Sequence, residues 1–207
     1  MRLPDYIAQV PRLRVRDPLA AFLGAAEDGV LEYGFDDVVK LAGHACPTVA
    51  GAYLMCHRAL SALHGGALPE RGSIRVELRE PLLAGTTGVV ASVATLLTGA
   101  THQSGFKGLA GRFDRRNLMD FEAPIAGLMR FTRLDTGARC QADFQPQSVA
   151  PGPGLPELMR AALAAPEGAP EHARFRTVWQ ERVRRILVEH WDDPALVPLA
   201  LESPDAV

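Results

Sequence analysis

Alternating apolar and charged positions predict the strands of this chain. In SIRVELREPL, Ile74, Val76 and Leu78 alternate with charged residues, which is typical of a strand with one face in the core. The segments LMDF and GLMRFTRLDTGARCQADFQP predict a further strand pair, with LDTGAR as the turn. Glycine in that turn supplies the positive φ that a tight hairpin needs. We therefore expect a hairpin after residue 128.

Apolar residues at helical spacing, together with capping residues, predict the helices. Asp17 and Pro18 open the first helix and Gly29 follows its end. Proline and glycine recur after residue 147, which indicates a linker around a short helix. The longer predicted helices cover residues 18–28, 36–43, 48–64, 88–97 and 171–190.

Helices and strands are intermixed without a regular βαβ alternation, which favours an α+β fold. We predict a mixed or antiparallel sheet packed with helices, plus a C-terminal helical appendage. Three segments are expected: an N-terminal helical segment (1–34), an α+β core (35–147), and a linker with a helical tail (148–207). The tail is expected to dock on the core or on a second copy of the chain.

Composition narrows the function classes. The chain has 207 residues and a net charge of −2, so neither nucleic-acid binding nor membrane-surface binding is expected. Three cysteines are an odd count, which argues against a secreted disulfide framework and for a reducing compartment. The N-terminus has no signal-peptide pattern, and no apolar run approaches the roughly 20 residues of a membrane span. We therefore expect a cytoplasmic protein.

The stretch GHACP holds the main candidate chemistry. If a helix begins at Pro47, Cys46 lies at its N-terminus, where the helix dipole favours a thiolate. His44 precedes it by two residues, so both side chains could point to the same side of an extended segment. An imidazole and a thiolate are half of a tetrahedral zinc site. The alternative is a capped helix with a cysteine buried as a small hydrophobic residue.

The remaining candidate residues lie farther along the chain. Cys56 lies ten positions beyond Cys46, about 15 Å along a straight helix, so we expect it in the core, as we do Cys140. His102 lies in a loop of small residues and is a candidate for the same pocket, with Thr101 and Lys107 as companions. The run GRFDRRN is either a charged turn or, through Arg112, Arg115 or Arg116, a holder of an anionic ligand.

Three landmarks stand in a fixed order along the chain: GHACPTVAGAYLM, TGVVASVATLLTGATHQSG and DTGARCQADFQP. Over residues 35–147, a little over half of the chain, they resemble the FmdE-like family, which is named after formylmethanofuran dehydrogenase. The matching positions are Gly43, His44, Cys46, Pro47, Gly51 and Met55, then Gly88, Val89, Leu97, Thr98, Gly99, Thr101 and Gly105.

The resemblance implies an α+β core and a transition metal at the His-x-Cys turn, with His44, Cys46 and His102 as the candidate ligands. Zinc is the first expectation, and iron, nickel or a metal-containing cofactor are alternatives. Several accessory cysteines and histidines of the family are replaced here, by Ala42, Thr87 and Ala100, and Thr48 replaces a glycine. A minimal site completed by His102, a neighbouring subunit, water or a ligand is therefore expected. The family's name comes from gene neighbourhood with molybdenum or tungsten enzymes.

Three functions follow as hypotheses. The first is a metal-binding protein that binds or handles a metal or metal-containing cofactor for redox metabolism, as a homodimer with a redox-enzyme partner. The second is a metal- or thiol-dependent enzyme acting on a small molecule, with Asp36 or Asp37 as the nearest acid/base carboxylates. The third is a dimeric structural or adaptor protein.

Overall fold

The computed structural model describes residues 2–202. The helices are α1 (Pro18–Leu23), α2 (Phe35–Ala42), α3 (Pro47–His64), α4 (Thr87–Thr98), α5 (Leu155–Ala164) and α6 (Pro170–Arg184). The strands are β1 (Leu13–Arg16), β2 (Val30–Tyr33), β3 (Ile74–Leu78), β4 (Met119–Asp120), β5 (Met129–Arg133), β6 (Arg139–Ala142) and β7 (Leu199–Glu202). Within residues 2–202, no helix is both long and apolar enough to cross a membrane.

The main sheet has five strands in the order β4-β3-β5-β6-β7. β4 runs parallel to β3, and the other neighbours are antiparallel. The predicted alternation in β3 is confirmed, since every second residue from Ile74 to Leu78 is buried. Phe131 of β5 pairs with Val76 on one side and Cys140 on the other, and all three are fully buried. The prediction of an α+β fold is confirmed.

Two helices cover this sheet. α3 packs on β5, β6 and β7, while α4 packs on β3 and on α3. α3 is buried without interruption from Val49 to Cys56, as the core prediction for Cys56 required. Gly51 lets α3 lie close to the Phe144 ring, because a Cβ added at residue 51 would be 2.5 Å from that ring. The helix ends at Gly65, whose left-handed conformation stops it where the sequence predicted.

The N-terminal segment is not only helical, so the prediction for residues 2–34 was wrong in part. β1 and β2 form a two-stranded antiparallel sheet within it. Leu13 and Val15 point into the core while Arg14 and Arg16 are exposed, a period-two pattern hidden in an arginine-rich stretch. α1 begins directly after its predicted cap, Asp17, but ends before Gly24 rather than near Gly29.

The C-terminal segment contributes to the core as well as docking on it. α5 and α6 pack together, and α6 continues into a π-helical turn (Arg185–Glu189). The segment also supplies β7, which the sequence analysis missed, and this strand pairs with β6. Its fully buried residues are Val183, Ile186, Leu187, Leu196 and Val197. The predicted boundary at residue 147 stays a prediction, and residues 203–207 of the predicted tail lie outside the described residues.

Candidate functional site

The turn between α2 and α3 carries the His-x-Cys pair. α2 ends at Gly43, in the left-handed conformation with φ 75°, and Pro47 begins α3. Cys46 is the N-cap of α3, as predicted, with extended backbone angles. Its Sγ accepts a hydrogen bond from the backbone N–H of Val49 at 3.4 Å. Cys46 is half-buried, whereas Cys56 and Cys140 are buried.

The imidazole of His44 is exposed and contacts the backbone two residues earlier in the chain. Its Nδ1 lies 2.9 Å from the carbonyl oxygen of Ala42. Because a carbonyl oxygen only accepts hydrogen bonds, this contact favours the tautomer with its proton on Nδ1, which has its lone pair on Nε2. The side chain borders a cavity of about 230 Å³ between α2 and α4, which is also lined by Leu41, Ala42, Val89, Ser92 and Val93.

The C-terminal segment fixes this turn from the opposite side. Between His44 and Cys46, the carbonyl oxygen of Ala45 accepts hydrogen bonds from Trp179 Nε1 at 2.9 Å and from Gln180 Nε2 at 3.4 Å. Gln180 also accepts a bond from the hydroxyl of Tyr6 at 2.8 Å. The sequence predicted a helix over residues 171–190 but gave no sign of this partner of Trp179, which is 134 positions away.

Trp179→Phe should remove the hydrogen bond to this turn, while the phenyl ring still fills most of the space of the indole ring. Losing one hydrogen bond is expected to lower the free energy of unfolding by about 1 kcal/mol. It should also speed alkylation of Cys46 in the native protein. The reaction reports on Cys46 alone, because Cys56 and Cys140 are fully buried. Urea unfolding and alkylation kinetics measure the two effects.

Trp191→Phe is the matched control, because the ring N–H of Trp191 makes no hydrogen bond in the part of the chain that the structure describes. Equal alkylation rates in the two variants would contradict the role given to the Ala45 contact.

The loop after α4 holds the other predicted binding residues. The hydroxyl of Thr101 donates to the carbonyl oxygen of Arg115 at 2.6 Å, so it stabilises the loop itself. His102 is exposed, and its ring lies edge-on to Phe121 at 5.5 Å between centroids. Lys107 is exposed. None of the three lines the His44 cavity, so their part in binding stays a prediction.

The predicted ligands do not form a ready-made metal centre. Among residues 2–202, no three His, Cys, Asp or Glu side chains are grouped so that they could hold a metal ion. His44, Cys46 and His102 are therefore not brought together as one three-ligand group. Whether His44 and Cys46 bind a metal with ligands from elsewhere stays a prediction.

The two candidate carboxylates at the start of α2 are already engaged. Asp36 contacts Arg12 and Lys40, each at 2.9 Å. Asp37 accepts from the backbone N–H of Gly34 at 3.0 Å and contacts Lys40 at 2.9 Å. Burial alone would raise the pKa of Asp36, but Lys40 and Arg12 hold that pKa below its usual value. Neither carboxylate lines the His44 cavity.

The other thiols are packed away, as predicted. Burial raises the pKa of Cys56 strongly and that of Cys140 to about 11. Both are therefore protonated and inert near neutral pH. Cys46 is the one cysteine of the three that is not fully buried.

Comparisons with known proteins give a structural match. No family model matches the chain, and no curated protein matches it significantly. Among solved structures, the chain is similar to a tungsten formylmethanofuran dehydrogenase FmdE-like protein from Syntrophus aciditrophicus. The TM-score is 0.43 and the identity 15%, over 83% of this chain and 73% of that one. The family in this description is the one that the sequence motifs resemble.

Proposed function

We propose that this protein binds a transition metal, or a metal-containing cofactor, through Nε2 of His44 and Sγ of Cys46, and holds it or hands it over in redox metabolism. One observation carries the proposal: Nδ1 of His44 lies 2.9 Å from the carbonyl oxygen of Ala42, so an Nδ1–H would donate to it. Metal-binding histidines commonly donate their second ring N–H in this way, which fixes the tautomer and leaves the other nitrogen for the metal.

The donor set suits zinc first, with iron and nickel as alternatives, because imidazole and thiolate bind these ions well. The helix N-terminus at Cys46 favours an anionic sulfur. Two protein donors leave coordination positions open, whereas structural zinc sites are closed by four ligands. An open site fits a protein that receives and releases a metal or cofactor. A second copy of the chain, His102 or a small-molecule ligand would complete it.

The enzyme hypotheses find less support in the described residues. A metal-dependent hydrolase needs an acid/base group, and both Asp36 and Asp37 are bound by Arg12 and Lys40. A thiol enzyme needs a base for Cys46, whereas the only hydrogen bond of Cys46 Sγ in residues 2–202 comes from the backbone of Val49.

Elemental analysis of untagged protein, purified anaerobically, tests the proposal. We expect about one transition-metal equivalent per chain, or about one per two chains if a second copy completes the site. The His44→Ala, Cys46→Ala double variant should contain none. His102→Ala shows whether that residue is a further ligand, and light scattering on the same samples gives the oligomeric state.

His172→Ala is the matched control, since it removes an imidazole that is bonded to Ala162 within the α5–α6 pair. It should keep the parent's metal content. If the parent contains no metal, or if the double variant keeps it, the proposal is wrong.

A further inference from the structure

A second charged centre lies away from the His-x-Cys turn, around Asp17. This carboxylate is 3% exposed and caps α1 through the backbone N–H groups of Leu19 and Ala20. It also receives two guanidinium groups, Arg71 at 2.8 Å and Arg115 at 2.7 Å. Two positive charges thus share one buried negative charge, and one positive charge remains in excess.

The guanidinium group of Arg115 is only partly satisfied. Its side chain is 4% exposed, and its Nε and Nη1 atoms are buried without a hydrogen-bond partner. Arg71 differs, because its further donors reach the carbonyl oxygens of Leu96 and Thr95. A buried charged donor without an acceptor is costly, so such a group in a native protein needs an explanation.

Two glycines make room for that guanidinium group. An added Cβ would lie 2.1 Å from Nη1 of Arg115 at Gly72 and 2.5 Å from it at Gly99. Both have positive φ, 91° and 73°. Gly72 and Arg115 belong to the wall of a cavity of about 330 Å³, which is large enough for a small ligand.

The rest of this cavity wall adds positive charge. Arg112 is exposed and lies over the Phe113 ring at 4.7 Å, with no ion-pair partner in residues 2–202. Two acidic residues, Glu70 and Asp114, also line the cavity. Each is already paired, Glu70 with Arg16 at 3.3 Å and Asp114 with Arg116 at 2.6 Å. The positive charge of Arg71, Arg112 and Arg115 is therefore only partly offset.

We propose that this cavity binds a phosphate group, either as free phosphate or as the monoester of a small molecule, through Arg112 and the unpartnered donors of Arg115. Guanidinium groups bind such oxyanions with charge-assisted and often bidentate hydrogen bonds. A dianion would balance the excess charge and supply acceptors for Nε and Nη1. The loop carrying Arg112 would shift to let the ligand reach them. This site is independent of metal binding at His44 and Cys46.

Titration calorimetry with inorganic phosphate, at constant ionic strength, tests the proposal on the full chain. We expect saturable binding that Arg112→Ala weakens at least tenfold, about 1.4 kcal/mol. Arg115→Lys keeps the charge but loses the planar fork, and should weaken binding as well. Asp114→Asn removes a negative charge from the cavity wall and should strengthen it. Arg160→Ala, which removes an equal charge from the exposed side of α5, should leave it unchanged.

Glycerol phosphate distinguishes the two sources: tighter binding than inorganic phosphate indicates a phosphorylated small molecule, and equal binding indicates free phosphate. Because Arg112 is exposed, its variant should fold even if Arg115→Lys does not. The proposal is overturned if neither ligand binds saturably, or if Arg112→Ala and Arg160→Ala bind phosphate equally well.

Discussion

Asp17→Ala is expected to lower the free energy of unfolding by about 3–5 kcal/mol, the usual cost of removing one partner from a buried ion pair. The substitution leaves the buried Arg115 and the partly buried Arg71 with no carboxylate between them. It also removes the N-cap of α1. Urea unfolding followed by circular dichroism measures the change.

The same ion pairs predict a pH dependence with a definite sign. Burial alone would raise the pKa of Asp17, but Arg71, Arg115 and the Ala20 N–H together hold that pKa below its usual value. A depressed pKa in the folded state means that the contribution is present above the unfolded pKa, about 3.9, and is lost as the pH falls through the folded pKa. The difference between the parent and Asp17→Ala should therefore shrink in acid.

An exposed ion pair provides the control for Asp17. Glu157 contacts Arg160 at 2.9 Å on α5, and both side chains are largely exposed. Glu157→Ala should change stability by no more than about 0.5 kcal/mol. A loss below about 1 kcal/mol for Asp17→Ala would mean that the two guanidinium groups find other partners or water.

Gly72→Ala is expected to cost about 2–4 kcal/mol, from two sources that add. Its φ of 91° is strained for any residue with a Cβ. The new methyl group would also lie 2.1 Å from Nη1 of Arg115, whose buried side chain has little room to move. Thermal and chemical unfolding give the loss, and phosphate binding should weaken with it if the second site is as proposed.

Gly111→Ala separates the two sources. Gly111 has a similar φ of 78°, but nothing lies within 4 Å of an added Cβ. Only the backbone cost should appear there, about 1 kcal/mol. If Gly72→Ala is no worse than Gly111→Ala, then Arg115 adjusts freely and does not fill a fixed space.

Elements with local signals were predictable from the sequence. The alternation in β3 was sufficient to predict that strand, and α4 (Thr87–Thr98) lies within one residue of the predicted 88–97 at each end. β1 and β7 were missed for a shared reason. Each has four residues, and its pairing depends on a partner beyond the reach of a local pattern, β2 across α1 for one and β6 across the C-terminal helices for the other.

The same distinction between local patterns and tertiary contacts applies to the candidate site. Pro47 after Cys46 was enough to predict a cysteine at a helix N-terminus, because that relation is local. The Trp179 contact to Ala45 and the Arg115 contact to Asp17, 98 positions apart, are products of the tertiary fold. The run GRFDRRN showed that an arginine could hold an anion. It gave no sign that Arg115 is buried while Arg112 and Arg116 are exposed.

The position of β7 also bears on how the protein folds as it is synthesised. Gln141 of β6 and Glu202 of β7 are hydrogen-bonded neighbours, although they are 61 positions apart. On the ribosome, β6 is synthesised before β7, so the backbone groups on the edge that β7 will cover stay unpaired. Such an edge can pair with strands of other chains. The five-stranded sheet can close only after β7 has emerged. A slow step in the translation of residues 143–202 would therefore prolong the period in which nascent chains can aggregate.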